Sequence, residues 1–293
     1  MASGSDTGLF TFAQKARYWD ELYAHPSNLF EHNMRLRRDY AAQYIRAHFD
    51  KSAALLDLGC GAGVLSEKLI ENGFPVTAAD GSLDMLELSR QRLQRFPAAS
   101  YRLLHANCLS LPFHDGEFDL VVCLGVFGYF DEVTQALREI HRVLRPGGTL
   151  IVSVRNAQAH YVFDLFRLLQ LPWRLLRVLA RHLTRQSRPS GPVADTAGAV
   201  RTNGVDRIDD GFRIQIHQVP SRLIEGVTQR GYALAAFDGF GYGPVRFAGK
   251  ELFPTRFSVR FSDFLNRGFR AAGLDKFSRW VADVSFYVFH RRD

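Results

Sequence analysis

The 293-residue chain has no run of about 18 apolar residues and only three cysteines. Without such a run, no helix is expected to cross a membrane. Cys60, Cys108 and Cys123 have no paired CxxC spacing and no histidines at zinc-ligand spacing, so no metal site is expected. The N-terminus has no basic start followed by an apolar stretch, which disfavours secretion. A reduced, cytoplasmic protein is the simplest expectation.

Positive charge is concentrated in one half of the sequence. Residues 1–159 hold 16 Lys and Arg against 18 Asp and Glu, whereas residues 160–293 hold 21 against 12. The second half therefore carries a net charge of +9 and the first half −2, which together give the net charge of +7. Such a field favours an anionic acceptor, an anionic membrane surface or nucleic acid.

Short apolar runs alternate with helical stretches from residue 53 onward. This alternation predicts βαβ units and a parallel sheet covered on both faces. The predicted strands are Ala53–Leu58, Val76–Ala79, Tyr101–His105, Leu120–Leu124 and Leu150–Val154, and the predicted helices between them are Val64–Asn72, Leu83–Phe96 and Val133–Leu144. Residues 12–50, which precede the first strand, are predicted to be helical.

The alternation lapses after the fifth predicted strand. Residues 159–188 are apolar and arginine-rich, and residues 189–211 are predicted to form a mobile loop. The pattern then resumes with a helix over 221–229, a strand over 233–237, helical pieces near 256–281 and a terminal strand over 284–290.

Three glycines follow the first predicted strand at the point where a helix begins. Gly59, Gly61 and Gly63 allow a tight turn and close approach of a ligand to the backbone beside a helix N-terminus. A dinucleotide-binding loop would need its third glycine at the position of Val64. Asp80 ends the next strand, where a carboxylate can accept both hydroxyls of an adenosine ribose. The alternative for Asp80 is a charge or cap at a helix N-terminus beside Ser82.

Five segments in order resemble the class I S-adenosylmethionine (SAM) dependent methyltransferases, especially the branch acting on quinones, sugars and natural products. They are LLDLGCGAG, VTAADGSLDML, HANCLSLPF, FDLVVCLGVFGYF and LREIHRVLRPGGTLIV. The resemblance implies SAM as cofactor. It also implies a Rossmann-like, doubly wound α/β sheet that is mostly parallel with an antiparallel last strand. N-terminal helices and a helical insertion after the fifth strand complete the predicted fold.

The resemblance also implies roles for particular residues. Gly59 and Gly61 would face the methionine and ribose of SAM, Asp57 would help bind its amino group, and Asp80 would hold the ribose hydroxyls. Gly81 and Met85 would border the adenine, and Leu124 would lie near the methionine. Asn107 stands where the family usually has Asp, and its amide oxygen can still accept a hydrogen bond from the adenine amine. Tyr18 is the candidate for capping the cofactor, and Arg37 for pairing with the methionine carboxylate.

The resemblance and the sequence pattern together divide the chain into four parts. These are a helical cap over 1–50, a SAM-binding core over 51–156, an acceptor lid over 157–211, and the rest of the sheet with acceptor-pocket helices over 212–293. The arginines of the predicted lid (Arg174, Arg177, Arg181, Arg185 and Arg188) fall on one stripe beside leucines. The same segment could therefore be a helix lying on a membrane surface.

The predicted function is methyl transfer to a small hydrophobic or anionic acceptor, with O-methylation the default. A general base is needed only if the acceptor must lose a proton, and His160 and His217 are weak candidates. An apolar acceptor pocket could be lined by Phe127, Tyr129, Phe130, Trp173, Phe240 and Tyr242. The alternatives are a lipid-linked or membrane-associated acceptor, and a SAM-binding protein that serves as a cyclase or scaffold. Nucleic-acid methylation is disfavoured because no recognised RNA-binding module is present.

Overall fold

The computed structural model describes residues 21–23, 28–129, 133–156, 159, 207–209, 214–216, 220–243, 245–247, 250–274 and 280–292. The helices are α1 (Leu29–His48), α2 (Val64–Glu71), α3 (Leu83–Leu93), α4 (Thr134–Val143), α5 (Pro220–Thr228) and α6 (Thr255–Ala271). The strands of the main sheet are β1 (Leu55–Leu58), β2 (Val76–Asp80), β3 (Tyr101–His105), β4 (Phe118–Leu124), β5 (Leu144–Arg155), β8 (Tyr232–Phe240) and β11 (Val284–Arg291).

The main sheet has seven strands in the order β3-β2-β1-β4-β5-β11-β8. β1 pairs in parallel with β2 and with β4, and β4 in parallel with β5. β11 lies antiparallel between β5 and β8. The predicted doubly wound, mostly parallel sheet with an antiparallel last strand is confirmed. The chain order reverses between β1 and β4, and ligands of open α/β sheets bind at that point, beyond the carboxyl ends of the strands.

Local signals in the sequence explain where the helices begin and end. Asn28 caps α1 by accepting a hydrogen bond from the amide of Glu31 at 3.0 Å. Ser82 caps α3 in the same way through the amide of Met85. Gly73, with φ of 85°, follows α2, and Gly231, with φ of 82°, follows α5. A glycine shortly after a helix is a common stop signal, and both adopt the left-handed conformation that such stops require.

Two apolar clusters fill the space on the two faces of the sheet. One contains Leu56, Val121, Val152, Tyr287 and Phe289 together with the apolar side of α4 and α5. The other contains Leu55, Val122, Ile151, Phe286 and Val288 together with α1 and α2. Because successive side chains of a strand point to opposite faces, each central strand contributes to both clusters.

One predicted loop contains regular structure. Residues 207–209 lie within the segment 189–211 that the sequence predicts as loop, yet they form strand β6 (Arg207–Asp209), which pairs antiparallel with β7 (Ile214–Ile216). The loop prediction is wrong there. The missed signal is Gly211 within residues 210–213, which join the two paired strands, because a connection of about three to five residues that contains glycine is typical of a hairpin. A second short ladder joins β9 (Arg246–Phe247) to β10 (Lys250–Glu251).

A buried ionic network lies at the end of the sheet where β5 finishes. The Asp283 carboxylate, which immediately precedes β11, accepts hydrogen bonds from Arg155 and from Asn33, each at 3.0 Å. The side chains of Arg155 and Asp283 are 11% and 4% exposed. The guanidinium of Arg155 also lies over the ring of Phe30, 5.0 Å from its centroid. The network therefore fastens α1 to the ends of β5 and β11.

No helix in the part of the chain that the structure describes is long and apolar enough to cross a membrane.

We expect Asp283→Ala to lower the free energy of unfolding by about 3–5 kcal/mol, because Arg155 would be left buried without its counter-charge. Urea denaturation measures this change. Glu87→Ala is the matched control, since it breaks an ion pair with Arg90 whose side chains are 53% and 62% exposed. That control should cost at most about 1 kcal/mol. Equal losses in the two variants would contradict the buried network.

Candidate active site

The three glycines of the loop after β1 have two different roles. Gly59, Gly61 and Gly63 have φ of 72°, 56° and 75°, in the left-handed region. A side chain at Gly59 would collide with Val126, and one at Gly63 with Ser89. A Cβ at Gly61 would meet nothing within 4 Å. The backbone of Gly61 therefore lies open to a ligand, while the other two glycines permit close packing.

Asp80 ends β2 beside this loop and is held by two backbone amides. Its two carboxylate oxygens accept hydrogen bonds from Gly61 at 2.8 Å and from Ser82 at 2.9 Å. Each oxygen keeps a further lone pair, so the carboxylate can still accept both hydroxyls of a ribose. Burial raises the pKa of Asp80, and the amide hydrogen bonds oppose that rise. Ser82, not Asp80, is the residue that caps α3.

Asp57 lies one strand away and is enclosed by the protein. Its side chain accepts a hydrogen bond from the Ser66 hydroxyl at 2.7 Å, and the residue is 3% exposed. Burial raises the pKa of Asp57 to about 6, and the negative charge of Asp80 adds to the rise. The hydrogen bond from Ser66 and the positive charge of Arg37 act in the opposite direction. A cationic amino group placed beside Asp57 would favour its ionised form.

Arg37 extends from α1 to the carboxyl end of β4. It is 7% exposed, and one terminal nitrogen donates to the Tyr23 hydroxyl at 2.9 Å. A Cβ on Gly125, the residue after β4, would come within 2.2 Å of its other terminal nitrogen. Its Nε has no hydrogen-bond partner among the residues that the structure describes. A buried guanidinium with an unused donor suits a carboxylate ligand.

These observations fit SAM. The open backbone at Gly61 and the lone pairs of Asp80 match a ribose. The carboxylate of Asp57 matches an amino group, and the free donor of Arg37 matches a carboxylate. All four come from the carboxyl edge of the sheet or from the helix that crosses it. Because β1 and β2 are neighbours and β4 flanks β1, the order of strands brings the four residues together.

The remaining predicted cofactor residues lie around the same edge. Gly81 follows Asp80, and its carbonyl accepts a hydrogen bond from His105 at 3.0 Å. Met85 is buried in the first turn of α3, and Leu124 is half-buried at the end of β4. Asn107 is exposed, and its amide oxygen accepts the amide of Leu109 at 2.9 Å. That oxygen closes a local turn but retains a second lone pair for an adenine amine.

Three predicted site residues, Tyr18, His160 and His217, lie outside the residues that the structure describes. The predicted acceptor-pocket aromatics Phe130 and Trp173 also lie outside them. Of the other predicted pocket aromatics, Phe127, Phe240 and Tyr242 are 1%, 3% and 1% exposed. Phe127 and Phe240 belong to the apolar clusters on opposite faces of the sheet, and a shared acceptor pocket stays a prediction.

The sequence did not reveal three neighbours of the site. Tyr23 holds Arg37, Ser66 holds Asp57, and Gly125 leaves room for the guanidinium. Gly125 directly after an apolar strand was an available signal, because a glycine there permits close approach of another group. In the described part of the chain, no cluster of three or more His, Cys, Asp or Glu side chains could hold a metal ion.

Comparison with known proteins supports the same assignment. Residues 56–152 match the family model described as a methyltransferase domain. A ubiquinone biosynthesis O-methyltransferase from Xanthomonas oryzae pv. oryzae is 33% identical over 115 residues, which are 39% of this chain and 48% of that protein. The chain thus matches about half the length of its curated relatives.

Solved structures share the fold at low sequence identity. Magnesium protoporphyrin IX methyltransferase from Synechocystis has a TM-score of 0.57 and 14% identity, covering 99% of this chain and 100% of that one. A cyclase named SpnF has a TM-score of 0.51 and 15% identity, covering 87% and 81%. Together with the family match and the site geometry, these findings identify residues 56–152 as the core of a class I SAM-dependent methyltransferase domain, whose cofactor is SAM.

Proposed function

We propose that the protein transfers the methyl group of SAM to a small hydrophobic or anionic acceptor, and that the acceptor atom is oxygen. The observation that carries the proposal is the grouping of Asp80, Asp57 and the unused donor of Arg37 around the open backbone of Gly61. The relative from Xanthomonas, whose name describes an O-methyltransferase, supports oxygen as the acceptor atom.

The residues of the site would act by holding the cofactor in place. SAM supplies a methyl group already activated by a positively charged sulfur. Arg37, Asp57 and Asp80 would hold three separate polar groups of the cofactor, which fixes its orientation against the sheet. Positioning of the acceptor in line with the methyl group then contributes much of the rate. A base is required only for an acceptor that must lose a proton, such as a phenol.

Product analysis tests the proposal directly. Purified protein is incubated with methyl-labelled SAM and a panel of phenols, catechols and carboxylic acids, and the label is followed by mass spectrometry. Labelled methyl ether or ester together with demethylated cofactor supports the proposal. The proposal is contradicted if the protein binds SAM but transfers no methyl group to any compound of the panel or of an extract of cellular metabolites, so that the SAM is recovered unchanged. That outcome favours a cyclase or scaffold.

Replacement of the ribose-binding carboxylate should weaken cofactor binding. We expect Asp80→Ala to reduce the affinity for SAM by about 1–3 kcal/mol, the range for hydrogen bonds to a charged group. Calorimetry measures the change, and Asp115→Ala, an exposed carboxylate on another loop, should leave the affinity unaltered. Unchanged affinity in Asp80→Ala would rule out its role at the ribose.

SAM binding should also weaken in acid because Asp57 must be ionised to hold an amino group. With a pKa of about 6 in the free protein, Asp57 is mostly ionised at pH 7 and mostly protonated at pH 5. The α-amino group of SAM stays protonated over this range. If binding lowers the pKa of Asp57, affinity falls by about tenfold from pH 7 to pH 5. In Asp57→Asn the affinity for SAM should be lower at pH 7, and it should change less between pH 7 and pH 5. The pH dependence that remains would come from Asp80. If the affinity of Asp57→Asn changes with pH as much as that of the wild type, the role of Asp57 is contradicted.

We also propose that residues 157–211 cover the acceptor site. In the described chain, β5 ends at Arg155 on the edge of the sheet that carries Asp57 and Asp80. Asn156 is anchored there by donating to the carbonyls of Trp280 and Ala282 at 2.8 and 3.0 Å. The segment therefore leaves the sheet beside the cofactor residues.

A shortened chain tests the lid. Replacement of residues 160–206 by a short Gly-Ser linker should abolish turnover while sparing SAM affinity to within about threefold, because the lid would contact the acceptor. Calorimetry measures binding and product analysis measures turnover. Full turnover in the shortened chain would dispose of the lid.

A further inference from the structure

Exposed apolar side chains are concentrated in one short stretch of the chain. Seven large apolar residues are exposed in the part that the structure describes, and five of them lie between residues 252 and 274. They are Leu252, Phe253, Phe257, Phe264 and Leu274, with exposures of 46%, 41%, 50%, 63% and 48%. A contiguous group of this kind indicates an interaction surface, whereas single exposed apolar residues do not.

Helix α6 presents two phenylalanines, Phe257 and Phe264, to solvent and two serines to the protein. Ser258 and Ser262, one turn apart, are 4% and 0% exposed. The Ser262 hydroxyl accepts the amide of Tyr242 at 2.8 Å. Phe257 lies on the other side, with the ring of Phe253 4.7 Å away. Phe261 and Phe269 are half-buried, and the ring of Phe269 lies 5.2 Å from that of the buried Tyr242. The helix therefore packs part of its aromatic surface on the protein and leaves a stripe of Phe257 and Phe264 exposed.

Arginines border the aromatic stripe. Arg256, Arg260 and Arg267 are all exposed. At about 100° per residue they form a row next to the phenylalanines. The single acidic residue of α6, Asp263, is paired with His32 at 3.0 Å. The exposed surface of α6 thus combines phenylalanine with positive charge.

We propose that this surface, α6 with Leu252 and Phe253 before it, binds an anionic lipid membrane. Basic residues beside exposed aromatic ones are the composition of helices that lie in a membrane interface. Anionic headgroups complement the arginines, and the acyl boundary accepts the phenyl rings. We refer to this surface below as the ridge.

The position of the ridge gives the contact a consequence for the site. β8 and β5 both run antiparallel to β11, and Phe240 and Arg155 are both paired with Val284. The end of β8 at Phe240 therefore lies at the same edge of the sheet as the end of β5, the edge that holds Asp57 and Asp80. The ridge comes after Phe240 in the sequence, so it lies at that edge. A bilayer bound there would adjoin the cofactor site. The membrane contact itself does not depend on methyl transfer, because it is measured without cofactor.

Vesicle co-sedimentation tests the proposal with the full chain. Wild-type protein should sediment with vesicles containing phosphatidylglycerol and not with pure phosphatidylcholine, and added salt should release it. Phe257→Ser/Phe264→Ser should lower the partition coefficient by about tenfold or more, since two partly buried phenyl rings are lost. Arg256→Gln/Arg260→Gln should lower it by about fivefold for each charge.

Matched variants separate this ridge from general surface properties. Leu234→Ser removes a 37% exposed apolar side chain near the opposite end of β8. Arg90→Gln/Arg102→Gln removes two charges whose side chains are 62% and 53% exposed. Both controls should bind vesicles like the wild type. SAM calorimetry on every variant verifies folding and keeps this proposal distinct from cofactor binding.

Several results would overturn the proposal. The proposal is wrong if the wild-type protein fails to bind anionic vesicles, whether or not it binds RNA or forms dimers through the ridge. It is equally wrong if Phe257→Ser/Phe264→Ser binds these vesicles with the affinity of the wild type. Loss of vesicle binding on replacing Arg174, Arg177 and Arg181, with the phenylalanine variant unaffected, would assign the contact to residues 159–188 instead.

Discussion

The placement of the cofactor site depends on one buried carboxylate, that of Asp283. It holds Arg155 at the end of β5 and Asn33 on α1, so it fixes α1 across the carboxyl edge of the sheet. Arg37 follows Asn33 by four residues and therefore projects from the same face of the helix one turn later. Its guanidinium reaches Gly125 beyond β4 because the preceding turn is anchored. An interaction far from SAM thus determines where its carboxylate would be held.

The site places two carboxylates and one guanidinium in an enclosed space where charges are costly. Burial raises the pKa of both Asp57 and Asp80, so the folded protein without ligand disfavours their ionisation. For Asp57, the folded-state pKa of about 6 exceeds its ordinary value, so stability falls as pH rises from about 4 to 6 and then stays level. A ligand that brings an amino group and two hydroxyls relieves this cost. Part of the affinity for SAM would therefore come from relief of the cost of ionising these buried carboxylates.

The sequence predicted the core because short-range signals determine it. Alternating apolar runs gave β1 to β5, the glycines gave the loop, and Asp80 marked the end of β2. Long-range contacts could not be predicted in this way. Asp283 lies 128 residues from Arg155 and 250 from Asn33, and no local periodicity links such distant positions. The pairing of β6 with β7 escapes prediction for a different reason, because a glycine in a short connection such as 210–213 is typical both of a hairpin and of a loop.

The proposed SAM site combines residues that the family pattern covers with residues outside it. Asp57, Gly61 and Asp80 lie within the matched residues 56–152, whereas Arg37, Tyr23 and Asn33 precede them and Asp283 follows. Under the proposed function, the matched core would supply the ribose and amino contacts, and the flanking segments would supply the carboxylate contact and its support. Because α1 also packs against α6, with His32 paired to Asp263, the helix that carries Arg37 also holds the helix that forms the ridge.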